Sequence, residues 1–253
     1  MTPPLTSMTG LTSNTRRTKA ALTFAALVNA ALLLSACASK PVPPDWQSNA
    51  FAALKGFASA YLSGNTRLAD FEFARAKSEI ASTGRADLMA RAELTRCATR
   101  VASLEFDNCA GYQPLASDAP ATAQTYAAFL SGHWSGLNAA LLPTHYRAFV
   151  MNAAADKPAS SPTKPTQAAS TLGTIEDPLA RLVAAGVLLQ SSRLTPADIA
   201  AATETASSQG WRRPLLAWLG VQHQRASEAG DRDAAALVQR RIDLVLQTTA
   251  KTQ

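Results

Sequence analysis

The sequence predicts an all-α fold, an array of antiparallel helical hairpins. Alanine is abundant and aromatic residues make up only 6% of the chain, a composition that favours helix over sheet. Apolar side chains recur at helical spacing, as in the series Phe51, Leu54, Ala58 and Tyr61. Short turns that contain glycine separate the predicted helices in pairs. With 47% apolar and 17% charged residues, the chain is expected to fold rather than remain disordered.

Residues 1–36 have the organisation of a secretory signal peptide. Arg16, Arg17 and Lys19 form a basic start, and an apolar run at 20–34 follows them. This run is shorter than the roughly 20 residues that span a bilayer. Cleavage after a short apolar run is therefore predicted, and the alternative is an uncleaved membrane anchor.

The apolar run ends at Leu34-Ser35-Ala36-Cys37, which resembles the lipobox of bacterial lipoproteins. The resemblance implies that the thiol of Cys37 receives a diacylglyceryl group, that a peptidase cleaves before it, and that the new amine is acylated. Several lipid chains would hold the protein stably on a membrane. In Gram-negative lipoproteins, alanine rather than aspartate after the cysteine, here Ala38, implies the outer membrane, facing the periplasm. Residues 37–44 would then be the lipidated cysteine and a stiff proline-rich spacer.

The rest of the chain is predicted to contain two helical regions, 45–155 and 176–250, joined by a flexible linker at 156–175 rich in proline, serine and threonine. Asp45 is the predicted N-cap of the first helix. In the second region, Thr195-Pro196-Ala197-Asp198 combines a cap, an early proline and an acid in the first turn, and Gly210 is expected to end that helix. These start and stop signals make the second region the better defined one.

The first helical pair resembles a tetratricopeptide repeat. Gly64, Ala69, Phe73 and Ala76 fall at the spacings that this family uses for its turn glycine and its packing residues. Gly56-Phe57 stands where the family has Leu-Gly. The last pair offers Leu219-Gly220 and Ala235, but its turn is longer. The resemblance implies a TPR-like array, and the alternative is an alanine-rich helical hairpin of another type.

Cys97 and Cys109 are close in sequence, and in an oxidising periplasm such a pair predicts a disulfide. The alternative is two reduced, buried cysteines. A zinc site formed with His133 and His145 has suitable ligand types, but the spacings do not match compact zinc motifs. No metal and no cofactor is therefore predicted.

Trp211, Arg212, Arg213 and Trp218 could form a groove for an anionic partner, because tryptophan stacks and arginine makes bidentate contacts. The two tryptophans are seven residues apart and share a face if their helix starts early enough. The alternative, which we favour, is two core tryptophans beside a solvated turn. The first interpretation makes these four residues candidates for partner binding.

The function expected from the sequence is binding rather than catalysis. The net charge is +6, but three of those charges lie in the predicted signal peptide, and no basic run of the kind that binds nucleic acid follows. No nucleophile or metal motif predicts an enzyme. We expect a lipoprotein anchored in the outer membrane with a helical domain that binds or scaffolds a protein partner of the cell envelope. The alternatives are a small-ligand or lipid-binding protein and, less favoured, a hydrolase of envelope polymers.

Overall fold

The structure is a computed structural model that describes residues 43–133, 136–155 and 171–250. In the described residues all regular structure is helical, as the sequence predicts. The α-helices are α1 (Asp45–Leu62), α2 (Thr66–Ala81), α3 (Ala86–Ala102), α4 (Ala121–Leu130), α5 (Thr144–Ala155), α6 (Pro178–Gln190), α7 (Pro196–Ser208), α8 (Arg212–Glu228) and α9 (Arg232–Ala250). Short 3-10 helices cover Gln113–Asp118, Ala139–Leu141 and Thr171–Thr174.

Helix ends follow local signals in most places. Thr195 and Asp198 form the capping box at the start of α7. Asp177 caps α6 by accepting a hydrogen bond of 2.7 Å from the Ala180 N–H. At the end of α1, Gly64 adopts φ +86°, which lets the Asn65 N–H reach back to the carbonyl of Ala60 and close the helix.

The predicted cap at Asp45 is wrong by one position. Pro44 is the N-cap, with φ −56° and ψ 146°, and its side chain makes no capping hydrogen bond. Proline already provides the extended conformation that a cap position needs. Asp45 therefore becomes the first helical residue, where its carboxylate faces the positive end of the helix dipole.

Residues Pro44–Gln253 form one compact unit. The helices on both sides of residues 156–170 contribute to one large apolar core, to which α5 gives Phe149 and Val150 and α6 gives Leu182 and Val187. The two predicted helical regions thus share a core. The α1/α2 hairpin has a smaller cluster of its own, in which the rings of Phe57 and Phe73 lie 5.1 Å apart.

Helix α3 lies at the centre of the fold and packs against α1, α2, α4 and α6. Its closest approach to α6 is at Gly186, where an added Cβ would lie 2.8 Å from Cγ1 of Val101 and closer still to the Val101 carbonyl oxygen. Only glycine permits this approach. From α6 the chain continues through α7 and α8 to α9, each helix packing on the one before it, and α8 also contacts α1.

Candidate functional site

A cleft of about 400 Å³ opens between α3, α4 and the segment that leads into α5. Its size lies within the range of roughly 300–1,000 Å³ that is usual for small-molecule sites. The lining residues come from three places in the chain: Arg91, Leu94 and Thr95; Thr122, Ala123 and Tyr126; and Leu141, Leu142, Pro143 and Arg147.

The wall of the cleft is mostly apolar. Leu141, Pro143 and Tyr126 are partly buried and provide its accessible apolar surface, whereas Leu94 lines the cleft as a member of the core. Leu94 lies one helical turn from Arg91, so both side chains are on the same face of α3. Helical periodicity therefore explains why an apolar wall and a cationic group lie next to each other.

Two guanidinium groups, from different helices, border this apolar wall. Arg147 is oriented by a hydrogen bond of 2.9 Å that its Nε donates to the carbonyl oxygen of Leu142. Its terminal nitrogens are left for other acceptors. Arg91 approaches from α3 and is exposed to solvent. None of the described residues that line the cleft is acidic, so its local charge is positive.

Tyr126 connects the cleft to an aromatic cluster behind it. Its ring stacks at 5.9 Å from that of Tyr146, and the two hydroxyls share a hydrogen bond. Burial raises the pKa of Tyr126 to about 12, and the Asp177 carboxylate adds to this effect. Burial also raises the pKa of Tyr146 and lowers the pKa of His145, which lies edge-on against the Tyr146 ring. Tyr126 is therefore a neutral wall of the cleft at physiological pH.

The predicted pair Cys97 and Cys109 lies outside the cleft and is joined by a disulfide, with the two Cα atoms 5.1 Å apart. The bond fastens the loop after α3 back onto that helix. Gly111 of the same loop lies against the carboxylate of Glu93, which is buried and paired with Lys77 at 2.9 Å. Because the two sulfurs are bonded to each other, they do not provide thiolate ligands for zinc.

The predicted groove at Trp211, Arg212, Arg213 and Trp218 is not formed. Trp218 is fully buried in the core, where its Nε1 donates a hydrogen bond of 3.3 Å to the Ala102 carbonyl. It has no exposed face on which a partner could stack. The alternative interpretation, a core tryptophan, therefore describes Trp218. Trp211 is partly buried and packs against the same core.

The two arginines of this segment face the α1/α2 hairpin. Arg213 donates to the Tyr61 carbonyl at 2.8 Å and to the Thr66 hydroxyl at 2.6 Å, and it pairs with Glu105 at 3.1 Å. The guanidinium of Arg212 lies against Gly64, where an added Cβ would be 2.8 Å from Nη2. Arg213 thus connects parts of the same chain, which corrects its assignment as a partner-binding residue.

Four lining residues of the cleft are not predicted by the sequence: Arg91, Thr95, Thr122 and Arg147. These residues are separated by up to 56 positions, and neither local spacing nor charge distinguishes them from other surface residues. Only two weak features of the sequence point to this cleft: Arg91, Leu94 and Thr95 share a helical face, and Pro143 marks a break before α5. Their proximity depends on how α3, α4 and α5 pack.

Cys37 and the predicted signal peptide lie outside the described residues, as do residues 156–170 of the predicted linker 156–175. The last five residues of that linker are described: Thr171–Thr174 form a 3-10 helix, and Leu172 and Ile175 are buried in the core. Within the described part of the chain, no helix has the length and apolar character needed to cross a bilayer. The same part contains no group of three or more histidine, cysteine or acidic side chains placed to hold a metal ion.

In comparisons with known proteins, no family model, no curated protein and no solved structure matches this chain significantly.

Proposed function

We propose that this chain is a lipid-anchored protein of the bacterial envelope whose helical unit binds a small ligand in the cleft between α3, α4 and α5. The anchor is proposed from Leu34-Ser35-Ala36-Cys37, and Ala38 favours the outer membrane. The ligand-binding activity is proposed from one observation. A cleft of about 400 Å³ combines an apolar wall with two arginine side chains, the combination that is typical of ligand sites.

Protein binding is the second candidate, and α9 favours it. Leu237, Leu244 and Leu246 are each at least half exposed on this helix, which packs on α8. Exposed large apolar side chains are typical of interaction surfaces. We rank this candidate second because these leucines lie on the flanks of the helix and form no enclosed site.

The anchor is tested by the variant Cys37→Ser. The expected result is an unlipidated precursor of larger size, and an inhibitor of the lipoprotein peptidase should accumulate a similar form of the wild type. Metabolic labelling with a radioactive fatty acid measures the lipid directly. A Cys37→Ser protein that matures to wild-type size and stays with membranes would contradict the proposal.

Ligand binding is tested with N-phenyl-1-naphthylamine, an uncharged apolar fluorophore. The chain Ala38–Gln253 retains the whole compact unit and should bind one equivalent, with increased fluorescence. Thr122 is an exposed residue of the cleft wall, so Thr122→Trp should fill the cleft and abolish binding. The matched control is Ala236→Trp on the exposed side of α9. Equal binding by both variants would show that the dye does not occupy the cleft.

A further inference from the structure

We propose that the ligand of the cleft is a monomeric amphiphile with one anionic head group, a carboxylate or a phosphate monoester. Arg91 and Arg147 hold the head group, and the aliphatic part lies along Tyr126, Leu141 and Pro143. This inference rests on the proposed ligand-binding function and adds to it the chemical class and the orientation of the ligand.

The orientation of Arg147 supports an anionic head group. Its Nε is already committed to the Leu142 carbonyl at 2.9 Å, which fixes the plane of the guanidinium and leaves its two terminal nitrogens. A planar pair of N–H donors matches the two oxygens of a carboxylate or phosphate. Because the side chain is held before a ligand arrives, less conformational entropy is lost on binding.

The position of Arg91 supports a single head group shared by both arginines. It lines the same cleft from α3, and Arg147 lines it from α5. The Thr95 hydroxyl donates to the Arg91 carbonyl oxygen at 3.0 Å, so it faces the backbone of its own helix. The two arginines are therefore the groups that recognise the charge of the head group.

The charge around the cleft excludes the opposite ligand class. With two guanidinium groups and no acid among the described lining residues, the cleft would repel a cationic head group and concentrate anions.

The apolar wall requires more than a bare anion. Leu141 and Pro143 are only partly buried and line the cleft, and Tyr126 adds a neutral aromatic surface. A small inorganic or short-chain anion leaves this surface in contact with water, whereas an aliphatic chain covers it. Each buried methylene adds about 0.8 kcal/mol by the usual transfer scale.

The test compares ligands that share a chain and differ in charge. Decanoate, decanol and decyltrimethylammonium are titrated into the chain Ala38–Gln253 below their aggregation concentrations, and displacement of N-phenyl-1-naphthylamine measures affinity. Acetate and inorganic phosphate test the head group alone. We expect decanoate to bind at least about tenfold more tightly than decanol, consistent with a charge-assisted hydrogen bond. Decyltrimethylammonium and the two small anions should bind most weakly.

Variants at the two arginines assign the effect to residues. Arg91→Gln and Arg147→Gln should each lower decanoate affinity about tenfold and leave decanol affinity unchanged. The control is Arg240→Gln on the exposed side of α9. Arg91→Glu leaves one cation and one anion in the cleft, so it should abolish the preference for decanoate over decanol while decanol still binds, an effect that a general loss of structure would not produce.

Three results would overturn the inference. The first is equal affinity for decanoate and decanol, and the second is retention of decanoate affinity in both arginine variants. The third is a protein that does not bind monomeric decanoate but binds phosphatidylglycerol vesicles, with no reduction by Thr122→Trp. That result would indicate that the protein binds a membrane surface and not a single amphiphile in the cleft. If the dye binds in the cleft and charge has no effect, this inference fails while the proposed ligand-binding function stands. If the dye does not bind in the cleft, both fail.

Discussion

The guanidinium of Arg213 lies over the ring of Tyr61, 4.2 Å from its centroid, and its Nε donates to the Tyr61 carbonyl oxygen at 2.8 Å. These residues are 152 positions apart. The contact joins the start of α8 to the end of α1. Arg213 also pairs with Glu105, which Arg100 approaches at 3.7 Å. The segment that was one candidate for a binding groove is therefore a clamp between α8 and the α1/α2 hairpin.

Substitution of Arg213 should loosen the α1/α2 hairpin. Arg213→Gln removes the ion pair and the contact over Tyr61, and we expect the free energy of unfolding to fall by about 1.5–3 kcal/mol. Arg213→Lys should lower the free energy of unfolding by nearly as much, because lysine does not reproduce the planar set of donors. Urea unfolding measures the change, and Arg240→Gln on α9 is the control. A loss no larger than that of the control would show that the clamp contributes nothing measurable.

Gly186 and Gly220 form a matched pair for testing the α3–α6 contact. Gly186→Ala places a Cβ against the Val101 carbonyl and 2.8 Å from Val101 Cγ1. The free energy of unfolding, measured by thermal denaturation, should therefore fall by about 1–3 kcal/mol. At Gly220, in α8, an added Cβ has nothing within 4 Å. Gly220→Ala should therefore stabilise the protein by roughly 0.5–1 kcal/mol through helix propensity. Equal effects of the two changes would contradict the close approach of α3 and α6.

The disulfide should be present in protein recovered from the periplasm. Mass spectrometry of the unreduced chain is expected to give one cross-linked peptide pair that contains Cys97 and Cys109. Their separation is 12 residues, and loop-closure entropy predicts that Cys97→Ser with Cys109→Ser costs about 3 kcal/mol. Labelling of both thiols in freshly isolated protein by an alkylating reagent would rule the bond out.

Buried tyrosines predict a loss of stability at alkaline pH. Burial raises the pKa of Tyr126 to about 12 and raises the pKa values of Tyr61 and Tyr146 above the ordinary value of 10.0. Below pH 10 these tyrosines are neutral in both the folded and the unfolded chain, so their contribution to the free energy of unfolding does not change with pH. Between pH 10 and about 12 the unfolded chain loses protons that the folded chain keeps, so stability falls as pH rises.

Melting temperatures measured from neutral pH to pH 12 check this window, together with the ultraviolet absorbance of tyrosinate. Tyr126→Phe removes one of the titrating groups and should make the alkaline decline shallower. Tyrosinate absorbance that develops near pH 10 without loss of structure would mean that these hydroxyls are accessible to solvent.

Local features of the fold could be predicted from the sequence, and the cleft could not. Helix α7 starts at Thr195 and Pro196 and ends before Gly210. Each of these two ends depends only on residues within one turn of it, so both can be predicted from the local sequence. The predicted pairing of Cys97 with Cys109 also spans a short segment. The cleft joins Arg91 to Arg147, and their proximity depends on the packing of three helices.

The segment at Trp211–Trp218 shows why residue type alone leaves two interpretations open. Tryptophan and arginine are enriched at binding surfaces, but the same pair also suits a buried contact between helices. Trp218 fills the core and Arg213 satisfies a carbonyl and a carboxylate. A sequence pattern cannot distinguish an external partner from an internal one.

The shared core predicts how the chain responds to proteolysis. By composition, the stretch 156–166 has three prolines and almost no apolar side chains, so a protease of broad specificity such as subtilisin should cut first within this stretch, which lies outside the described residues. Trypsin is unsuitable here because both lysines of the stretch precede proline. The fragments should nevertheless stay together. Phe149 and Val150 on one side of the cut share a core with Leu182 and Val187 on the other, and a fully buried side chain of this kind contributes about 1.5–3 kcal/mol.

The nicked protein should therefore elute as one species of unchanged size in gel filtration, and denaturing electrophoresis should show two bands. Separation should occur only in denaturant, in a single transition with loss of helical circular dichroism. The sequence alone favoured the second helical region as the more stable half, and a fragment from about Thr166 that elutes alone and melts cooperatively would support that view. The burial of Leu182, Val187 and Trp218 in a core completed by α3, α4 and α5 leads us to expect that this fragment is not stable by itself.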